Sequence, residues 1–396
     1  MTEHADVVVV GGGPAGAVAA LHLARAGARV TIVEKEALPR TKVCGDALIP
    51  DSLAVLSSLG LLDRVSAEAR RARGIRIYAP NGQPVDVEGT CLCLARERLD
   101  GILVGAAEES GARVLSGVEA VGYEIRSGRA HLEVRRGGGR ESLSAELIVL
   151  ATGASAKVLA RFGVPHRSEP SALALRGYYR LRSDVPEDLL HIWYERPVLP
   201  GYAWIFPVGD RVFNVGAGIF RAPGTTPPNL RDIFERFRSG CARAREMLEG
   251  ATAMESPRGA PLRTNLQGSP LVADRLLITG EAIGSTFSFS GEGIGKAMET
   301  ALLAARTAEE ALASGRFDAR DLTGYPQAVA SKLRSKFAHY AAAERWLRYP
   351  AVVNLIAWRA ARSRALGSLL SDILNERRDP TDLLSARGFA RAALAR

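Results

Sequence analysis

The sequence lacks the features that mark an exported, membrane-spanning or metal-binding protein. No apolar run approaches the roughly 18 residues that a spanning helix needs. The opening residues show neither the basic segment nor the cleavage pattern of an export signal. The four cysteines form no C-x-x-C pair, and Cys91 and Cys93 are expected to be small core residues on one face of a strand. These absences predict a reduced, cytoplasmic protein.

Aromatic residues are also scarce, at 6% of the chain, so one cluster of them stands out. Tyr202, Trp204 and Phe206 alternate with smaller residues. In an extended segment, all three rings would therefore point to one face. Such a row is either ordinary core or the wall of a pocket built for an apolar ligand.

We predict that a β-hairpin carries this aromatic row. Gly209 and Asp210 make a plausible two-residue turn. The register that follows pairs Phe206 with Phe213, Trp204 with Val215, and Tyr202 with Ala217. Because Gly216 and Gly218 lie beside this row, we expect room for a ligand along the aromatic face.

The positive charge of the chain is concentrated in its last part. The 396 residues have a net charge of +9, and residues 331–396 contain 13 Lys or Arg against 5 Asp or Glu. Trp346, Tyr349 and Trp358 lie among these basic residues. The pattern predicts a basic helical cap, whose outer face is either simply solvated or in peripheral contact with an anionic membrane. No nucleic-acid partner is expected.

A glycine motif near the start predicts a dinucleotide site. Gly11, Gly13 and Gly16 form G-x-G-x-x-G between an apolar strand and a segment of helical composition. These glycines permit a tight turn, close approach of a pyrophosphate, and close packing of helix on strand. The helix N-terminus favours the phosphate charge. Glu34, 18 residues after Gly16, ends the next strand, where a carboxylate can bind the adenosine ribose.

Further motifs indicate that the dinucleotide is FAD. Residues 276–305 resemble the second FAD-binding motif of the p-hydroxybenzoate hydroxylase-like flavoproteins, with Glu281 in place of the usual Asp. The resemblance implies that Glu281 binds the ribityl chain and that a helix starting near Gly293 faces the N1–C2=O edge of the flavin. It also implies that Arg96 lies near the flavin phosphates or ring. The position at which many hydroxylases of this fold carry an Asp is Thr152, which weakens an aromatic-hydroxylase interpretation.

Two more stretches narrow the resemblance. RTKVCGDALIP at 40–50, together with the aromatic stretch Y-x-W-x-F-P and its following G-A-G, is similar to the geranylgeranyl reductase family, which reduces isoprenoid double bonds with FAD. The resemblance implies that Cys44 lies beside the isoalloxazine, where it shapes the site or supplies a proton. His191 and Glu195 are weaker proton-donor candidates, and ordinary surface positions are expected for both.

The resemblance and the residue patterns together predict three groups of site residues. The expected catalytic residues are Cys44, Tyr202 and Trp204. The expected cofactor-binding residues are Gly11, Gly13, Ala15, Gly16, Glu34, Cys44, Gly45, Ala47, Arg96, Ala120 (through its backbone, to adenine), Glu281, Gly293 and Ile294. The expected substrate-pocket residues are Tyr202, Trp204, Phe206, Gly216 and Gly218.

The predicted fold class is α/β, with a Rossmann-type FAD-binding domain, an inserted, mainly antiparallel β substrate domain and a C-terminal helical region. We expect the FAD domain at 1–75, 95–165 and 260–330, the substrate domain at 76–94 and 166–259, and the cap at 331–396. The expected function is FAD-dependent saturation of C=C bonds in an isoprenoid chain on a lipid or quinone, with NADPH, NADH or a reduced electron carrier as reductant. The alternatives are a monooxygenase or halogenase of the same fold, since halogenases carry a related W-x-W-x-I-P signature, and a non-catalytic, FAD-containing lipid-binding protein.

Overall fold

The computed structural model describes residues 3–182, 184–221, 224–226, 229–288, 290–347 and 349–384. The strands within these ranges are β1 (Glu3–Val10), β2 (Val30–Glu34), β3 (Ala47–Leu48), β4 (Arg70–Tyr78), β5 (Pro84–Cys93), β6 (Arg113–Ser116), β7 (Glu119–Arg126), β8 (Arg129–Arg136), β9 (Gly139–Leu150), β10 (Ala172–Arg180), β11 (Leu190–Trp193), β12 (Gly201–Gly209), β13 (Val212–Phe220), β14 (Thr252–Ala253), β15 (Arg258–Leu262), β16 (Val272–Ala273) and β17 (Leu276–Ile278).

The helices within the same ranges are α1 (Pro14–Arg25), α2 (Pro50–Ser58), α3 (Leu62–Glu68), α4 (Arg96–Glu109), α5 (Ala156–Arg161), α6 (Leu230–Gly240), α7 (Ala242–Leu248), α8 (Ile294–Ser314), α9 (Gly324–Lys332), α10 (Arg334–Leu347), α11 (Pro350–Ala360), α12 (Arg364–Leu374) and α13 (Pro380–Leu384). None of the helices in this described part of the chain is long and apolar enough to cross a bilayer.

The first sheet has a parallel centre in the order β17-β9-β1-β2-β6. The alternating valines of β1 enter different cores, since Val7 and Val9 pack on one face of the sheet while Val8 and Val10 pack on the other. Burial on both faces explains why this strand is an uninterrupted apolar run. A parallel sheet whose first crossover is a helix is the Rossmann-type architecture that the sequence predicts.

The second sheet is mainly antiparallel and has the order β14-β10-β13-β12-β11-β4-β5-β3, with β15 also paired to β10. On β12, Ala203 and Ile205 pack in the same core as residues of α6 and α7. Trp204 and Phe206 belong to a different cluster, on the opposite face. Alternate side chains of β12 therefore lie on opposite faces of the sheet, as predicted for the aromatic row.

These two sheets and the helices that follow confirm the predicted fold class. Strands of the second sheet lie between Arg70 and Cys93 and between Ala172 and Leu262, apart from the short edge strand β3. We retain the domain division given above as a proposal. The side chain of Trp346 and residues 385–396 of the predicted cap lie outside the described residues.

The predicted register of the aromatic hairpin is wrong by one residue. The observed pairs are Phe206 with Asn214, Trp204 with Gly216, and Tyr202 with Gly218. The turn lies at Asp210 and Arg211, which alone would shift the pairing by two residues, and an irregularity between Pro207 and Gly209 takes one of them back. Both turn residues have positive φ, 51° and 61°, as a two-residue type I′ turn requires.

Candidate functional site

One cavity of about 940 Å³ connects the predicted cofactor loops with the aromatic row and the C-terminal helices. It begins at the loop after β1, passes the segment 40–47 and the aromatic face of β12, and ends against helices α10 to α13. This volume lies at the upper end of the range for small-molecule sites, about 300–1,000 Å³. The cap therefore forms one wall of the cavity.

The glycines of the first loop are required by close backbone contacts. A Cβ on Gly16 would lie 1.8 Å from the carbonyl oxygen of Gly11, and a Cβ on Gly11 would lie 2.4 Å from that of Ala151. Gly11 also has a φ of +110°, which side chains rarely adopt. Gly13 is the N-cap residue of α1 and has no side chain that could accept a hydrogen bond from the first-turn amides. These amides therefore remain available to an anion.

Two arginines and two carboxylates surround this loop. Glu34 Oε2 accepts a hydrogen bond of 2.9 Å from the Gly12 amide and lies 3.2 Å from Arg40 Nε. Arg96 donates two bonds to Asp100, of 2.8 and 2.9 Å. The guanidinium groups of Arg40 and Arg96 would both lie 3.5 Å from a Cβ at Gly13. The site therefore combines cations and free amides where the motif predicts a pyrophosphate.

The second predicted FAD motif lies directly against the first. A Cβ on Gly280 would be 2.8 Å from the Cβ of Ala15, so a larger residue there would separate the two loops. Glu281 lines the cavity, and burial raises the pKa of its carboxyl. Gly293 is the N-cap of α8, again without a side-chain cap, and Gly293 and Ile294 line the same cavity. Ala120 also lies in the cavity wall.

The residues present fit an FAD. A buried polar atom of the cavity wall, Thr152 Oγ1, has no hydrogen-bond partner in the protein. The N-terminus of α1, which no side chain caps, supplies further donors. Unsatisfied buried groups are rare in native proteins and are expected where a ligand binds. Gly11, Gly13, Ala15, Glu34, Cys44, Gly45, Ala47, Arg96, Ala120, Glu281, Gly293 and Ile294 all line the cavity, whereas Gly16 serves the packing of α1 on β1.

The aromatic face touches both sets of loops. A Cβ on Gly45 would lie 3.4 Å from the ring of Phe206 and 3.7 Å from Trp204 Nε1. At the other end of the row, Tyr202 donates a hydrogen bond of 3.0 Å to the carbonyl of Ser290, in the loop before α8. The rings of Tyr202 and Trp204 lie 5.7 Å apart, and those of Trp204 and Phe206 lie 6.2 Å apart.

The expected free space beside Gly216 is filled. A Cβ on this residue would be 2.1 Å from the indole of Trp204, which lies across the strand and occupies that position. Gly216 consequently does not line the cavity, although Gly218 does. The one-residue error in the predicted register explains the difference, because it placed Val215 rather than Gly216 opposite Trp204.

A buried polar network joins the loop around Cys44 to the aromatic row, and sequence reasoning missed it. Asn214 accepts a hydrogen bond of 2.8 Å from Trp204 Nε1. Its amide donates to the carbonyl of Cys44 and to Asp46 Oδ2, both at 2.7 Å. Tyr178 donates to the same Asp46 oxygen at 2.5 Å. Burial raises the pKa of Asp46 to about 6, and burial also raises that of the Cys44 thiol.

A second unpredicted cluster joins α8 to the C-terminal helices. Lys296, whose side chain is 1% exposed, lies 3.3 Å from Asp51 and 2.8 Å from Glu376. Burial outweighs the attraction of the lysine and raises the pKa of Asp51 to about 6. Glu292, which lines the cavity, accepts a hydrogen bond of 2.8 Å from Gly295 and has a strongly raised pKa because of its burial.

The expectation that His191 occupies a surface position is wrong. The residue is 2% exposed and its ring lies 3.1 Å from the hydroxyl of Tyr78. Burial lowers the pKa of His191 to about 4, so the imidazole is neutral at physiological pH. His191 alternates with Leu190 and Ile192, which line the cavity, and therefore points to the opposite face of the sheet. Glu195 does not line the cavity either.

The family follows from a match that covers most of the chain. The family model of the FAD binding domain matches residues 4–318, so the chain belongs to the FAD binding domain family. The chain is 33% identical over 351 residues to menaquinone reductase of Mycobacterium tuberculosis (strain ATCC 25618 / H37Rv), which involves 85% of this chain and 82% of the relative. It is 30% identical over 330 residues to digeranylgeranylglycerophospholipid reductase of Methanoculleus marisnigri, which involves 80% and 79% of the two chains.

Within that family, the chain is a member of the geranylgeranyl reductase group of FAD-dependent oxidoreductases. A solved structure of a geranylgeranyl bacteriochlorophyll reductase-like protein from Thermoplasma acidophilum has the same fold. The TM-score is 0.79 at 22% identity, over 99% of this chain and 96% of that one. The predictions of the family, of FAD binding and of an oxidoreductase activity are therefore confirmed, and the non-catalytic alternative loses its support.

Proposed function

We propose that this protein saturates C=C bonds of an isoprenoid chain carried by a lipid or a quinone. The observation that carries the proposal is the continuity of the cavity, which runs from the FAD loops past Trp204 and Phe206 to apolar side chains of the C-terminal helices. Those side chains include Ile356, Leu370 and Leu374. The names of the relatives refer to a quinone and to a glycerophospholipid, which agrees with a prenylated substrate of either kind.

A reduced FAD held by the two glycine loops would supply the hydride for one carbon of the alkene, and the other carbon would take a proton. The protein has to hold that alkene close to the cofactor and keep water away, since an isolated alkene has no carbonyl for the protein to polarise. The aromatic row and the inner face of the cap provide an apolar channel for this purpose. Each buried methylene of the chain would contribute about 0.8 kcal/mol to binding. We propose NADPH, NADH or a reduced electron carrier as the source of electrons.

Anaerobic reoxidation of the flavin tests this function. The holoprotein is photoreduced without oxygen and mixed with menaquinone or with a digeranylgeranyl glycerophospholipid in detergent. We expect the absorbance of oxidised flavin to return and the mass of the lipid, measured after any quinol has been reoxidised, to rise by two hydrogens. Reoxidation only after oxygen is admitted, with unchanged lipid, would contradict the proposal and favour the monooxygenase or halogenase alternative. Thr152, in place of the Asp of many hydroxylases, already argues against the monooxygenase.

We further propose that α11 and the turn before it dock on an anionic membrane. Tyr349, Leu355 and Trp358 are 62%, 44% and 43% exposed, which is unusual for large apolar side chains in one short segment. The guanidinium groups of Arg359 and Arg362 lie 5.4 and 4.9 Å from the Trp358 ring. On the same helix Ile356 lines the cavity, so a lipid could pass from the bilayer surface into the apolar end of the site.

Vesicle sedimentation tests the membrane surface. For Tyr349→Ser with Trp358→Ser, we expect at least about a tenfold loss of binding to vesicles containing phosphatidylglycerol, because two interfacial rings are removed. The matched control is Ile125→Ser with Met254→Ser, since these residues are exposed to a similar extent, at 46% and 51%, but lie elsewhere. Equal losses in both double variants, or binding that does not depend on anionic lipid, would refute this surface.

A further inference from the structure

We propose that Asn214 is a positioning residue, which fixes the aromatic wall of the substrate channel against the loop that carries Cys44. This inference rests on the proposed alkene reduction and identifies what sets the geometry between the cofactor loop and the substrate wall. Asn214 is fully buried on β13 and lies directly opposite Phe206 in the hairpin. Its side chain points toward the Cys44 loop rather than into an apolar core.

The amide of Asn214 uses its donor and acceptor groups on three different partners. Its oxygen accepts from the indole of Trp204, and its nitrogen donates to the Cys44 carbonyl and to Asp46. The three bonds are 2.7 to 2.8 Å long. A planar amide that joins an aromatic ring to a backbone carbonyl fixes both the distance and the orientation of the two groups. No aliphatic residue could make this connection.

Asp46 holds the nitrogen of that amide in place. Its Oδ2 receives hydrogen bonds from both Asn214 and Tyr178, whereas Oδ1 has no partner. Asp46 itself has a φ of 65°, and its carbonyl accepts a bond of 3.0 Å from the Leu94 amide. A proton on Asp46 would therefore occupy Oδ1 and leave the bond from Asn214 intact. The connection persists on both sides of the Asp46 pKa.

The charged and titratable groups around the network support this arrangement. Tyr178 and Arg176 face it from β10, Arg96 from α4, Cys93 from β5, and Cys44 from the same loop as Asp46. Arg176 is paired with Glu255, and Arg96 is paired with Asp100. Burial raises the pKa of Tyr178, which therefore remains a hydrogen-bond donor at every relevant pH. The interactions of the asparagine amide are thus constant in the wild-type protein.

Replacing Asn214 by Asp should make the connection between the Cys44 loop and the aromatic wall depend on pH. The new carboxylate would face the Cys44 carbonyl and Asp46 Oδ2, where the amide nitrogen now donates. Two carboxylates that share one site retain one proton, with a raised pKa for its loss. At low pH the shared proton restores a hydrogen bond between them. At high pH, two negative charges push the loop and the strand apart.

The test compares Asn214→Asp, Asn214→Ala and the wild type in the anaerobic assay from pH 5 to pH 9. For Asn214→Ala, we expect a loss of kcat of about 10²-fold at every pH, since misplacement of reacting groups by about 1 Å has effects of that size. KM should change less than tenfold, because the apolar channel remains. For Asn214→Asp, kcat should be closest to wild type at pH 5 and fall as the pH rises. The exposed variant Asn81→Asp should follow the wild-type profile.

Separate measurements keep this inference apart from the proposed function. FAD affinity and near-ultraviolet circular dichroism need no lipid substrate. We expect both Asn214 variants to retain FAD, since the glycine loops are untouched, and Asn214→Asp to show a pH-dependent Trp signal that the wild type lacks. A wild type inactive on prenyl lipids would overturn the proposed function alone. Variants of Asn214 with normal kcat, or an Asn214→Asp protein without the additional pH dependence in either measurement, would overturn the positioning role.

Discussion

A single added methyl group at Gly216 is expected to cost about 3 kcal/mol of folding stability. The Cβ of Gly216→Ala would lie 2.1 Å from the Trp204 indole, a distance at which the ring has to move. Overpacking of this kind costs about 1–3 kcal/mol, and displacement of the indole also breaks its hydrogen bond to Asn214, which adds about 1 kcal/mol or more. Urea unfolding of the purified protein measures the change in the free energy of unfolding.

Gly218→Ala is the matched control for this prediction. It lies two residues further along the same strand and on the same face, yet a Cβ there would make only ordinary contacts, at 3.5 Å or more. We expect its free energy of unfolding to lie within about 1 kcal/mol of wild type, since removing a glycine also restricts the unfolded chain. A Gly216→Ala protein as stable as Gly218→Ala would show that the indole does not lie across the strand.

The cofactor half of the site could be predicted because its signals are local. Gly11, Gly13 and Gly16 lie within one short turn, and their spacing predicts the backbone geometry of that turn. The same holds for Gly280 and for the start of α8 at Gly293, where a strand, a turn and a helix follow one another in a short stretch. Steric requirements within a short stretch restrict the residue types at fixed spacings, so one sequence is enough to predict them.

The polar networks could not be predicted because their members are far apart in the chain. Asp46, Tyr178 and Asn214 meet only when the loop that carries Cys44 crosses the second sheet, and Tyr178 and Asn214 are 132 and 168 residues from Asp46 in the sequence. A polar residue within a strand normally indicates a solvated face, so the sequence contains no sign that Asn214 is buried. The register error had a similar origin, since the irregularity at Pro207 depends on how β12 pairs with β13.

The helices of the basic C-terminal part have one face toward the cavity and another toward solvent. The arginines and aromatic residues predicted a cap, and the structure confirms helices there. What composition could not indicate is that Tyr340, Ile356 and Leu370 line the cavity while Tyr349 and Trp358 are exposed. The ion pair between the buried Lys296 and Glu376 connects this cap to α8. Substitution of Lys296 therefore tests the attachment of the cap itself.

Lys296→Met is expected to destabilise the protein by about 3–5 kcal/mol at pH 8. The side chain is 1% exposed and lies near three carboxylates, those of Asp51, Glu299 and Glu376. Methionine fills a similar volume but leaves the buried Asp51 and the partly buried Glu376 without this cation. Removing one partner of a buried ion pair has a cost of about this size. Urea unfolding at fixed pH gives the change in the free energy of unfolding, and release of the cap should also expose the cavity to an apolar fluorescent dye.

The pH dependence distinguishes this electrostatic cause from a packing defect. Burial already raises the folded-state pKa of Asp51 to about 6, and loss of Lys296 should raise it further above the unfolded value. A carboxyl with a raised folded pKa contributes stability at low pH that is lost as the pH rises through that value. The deficit of Lys296→Met should therefore be smaller at pH 5 than at pH 8. Lys336→Met, which removes a 33% exposed partner of the same Glu376, should lose much less. A deficit for Lys296→Met that is equal at both pH values would mean that shape, not charge, holds the cap on α8.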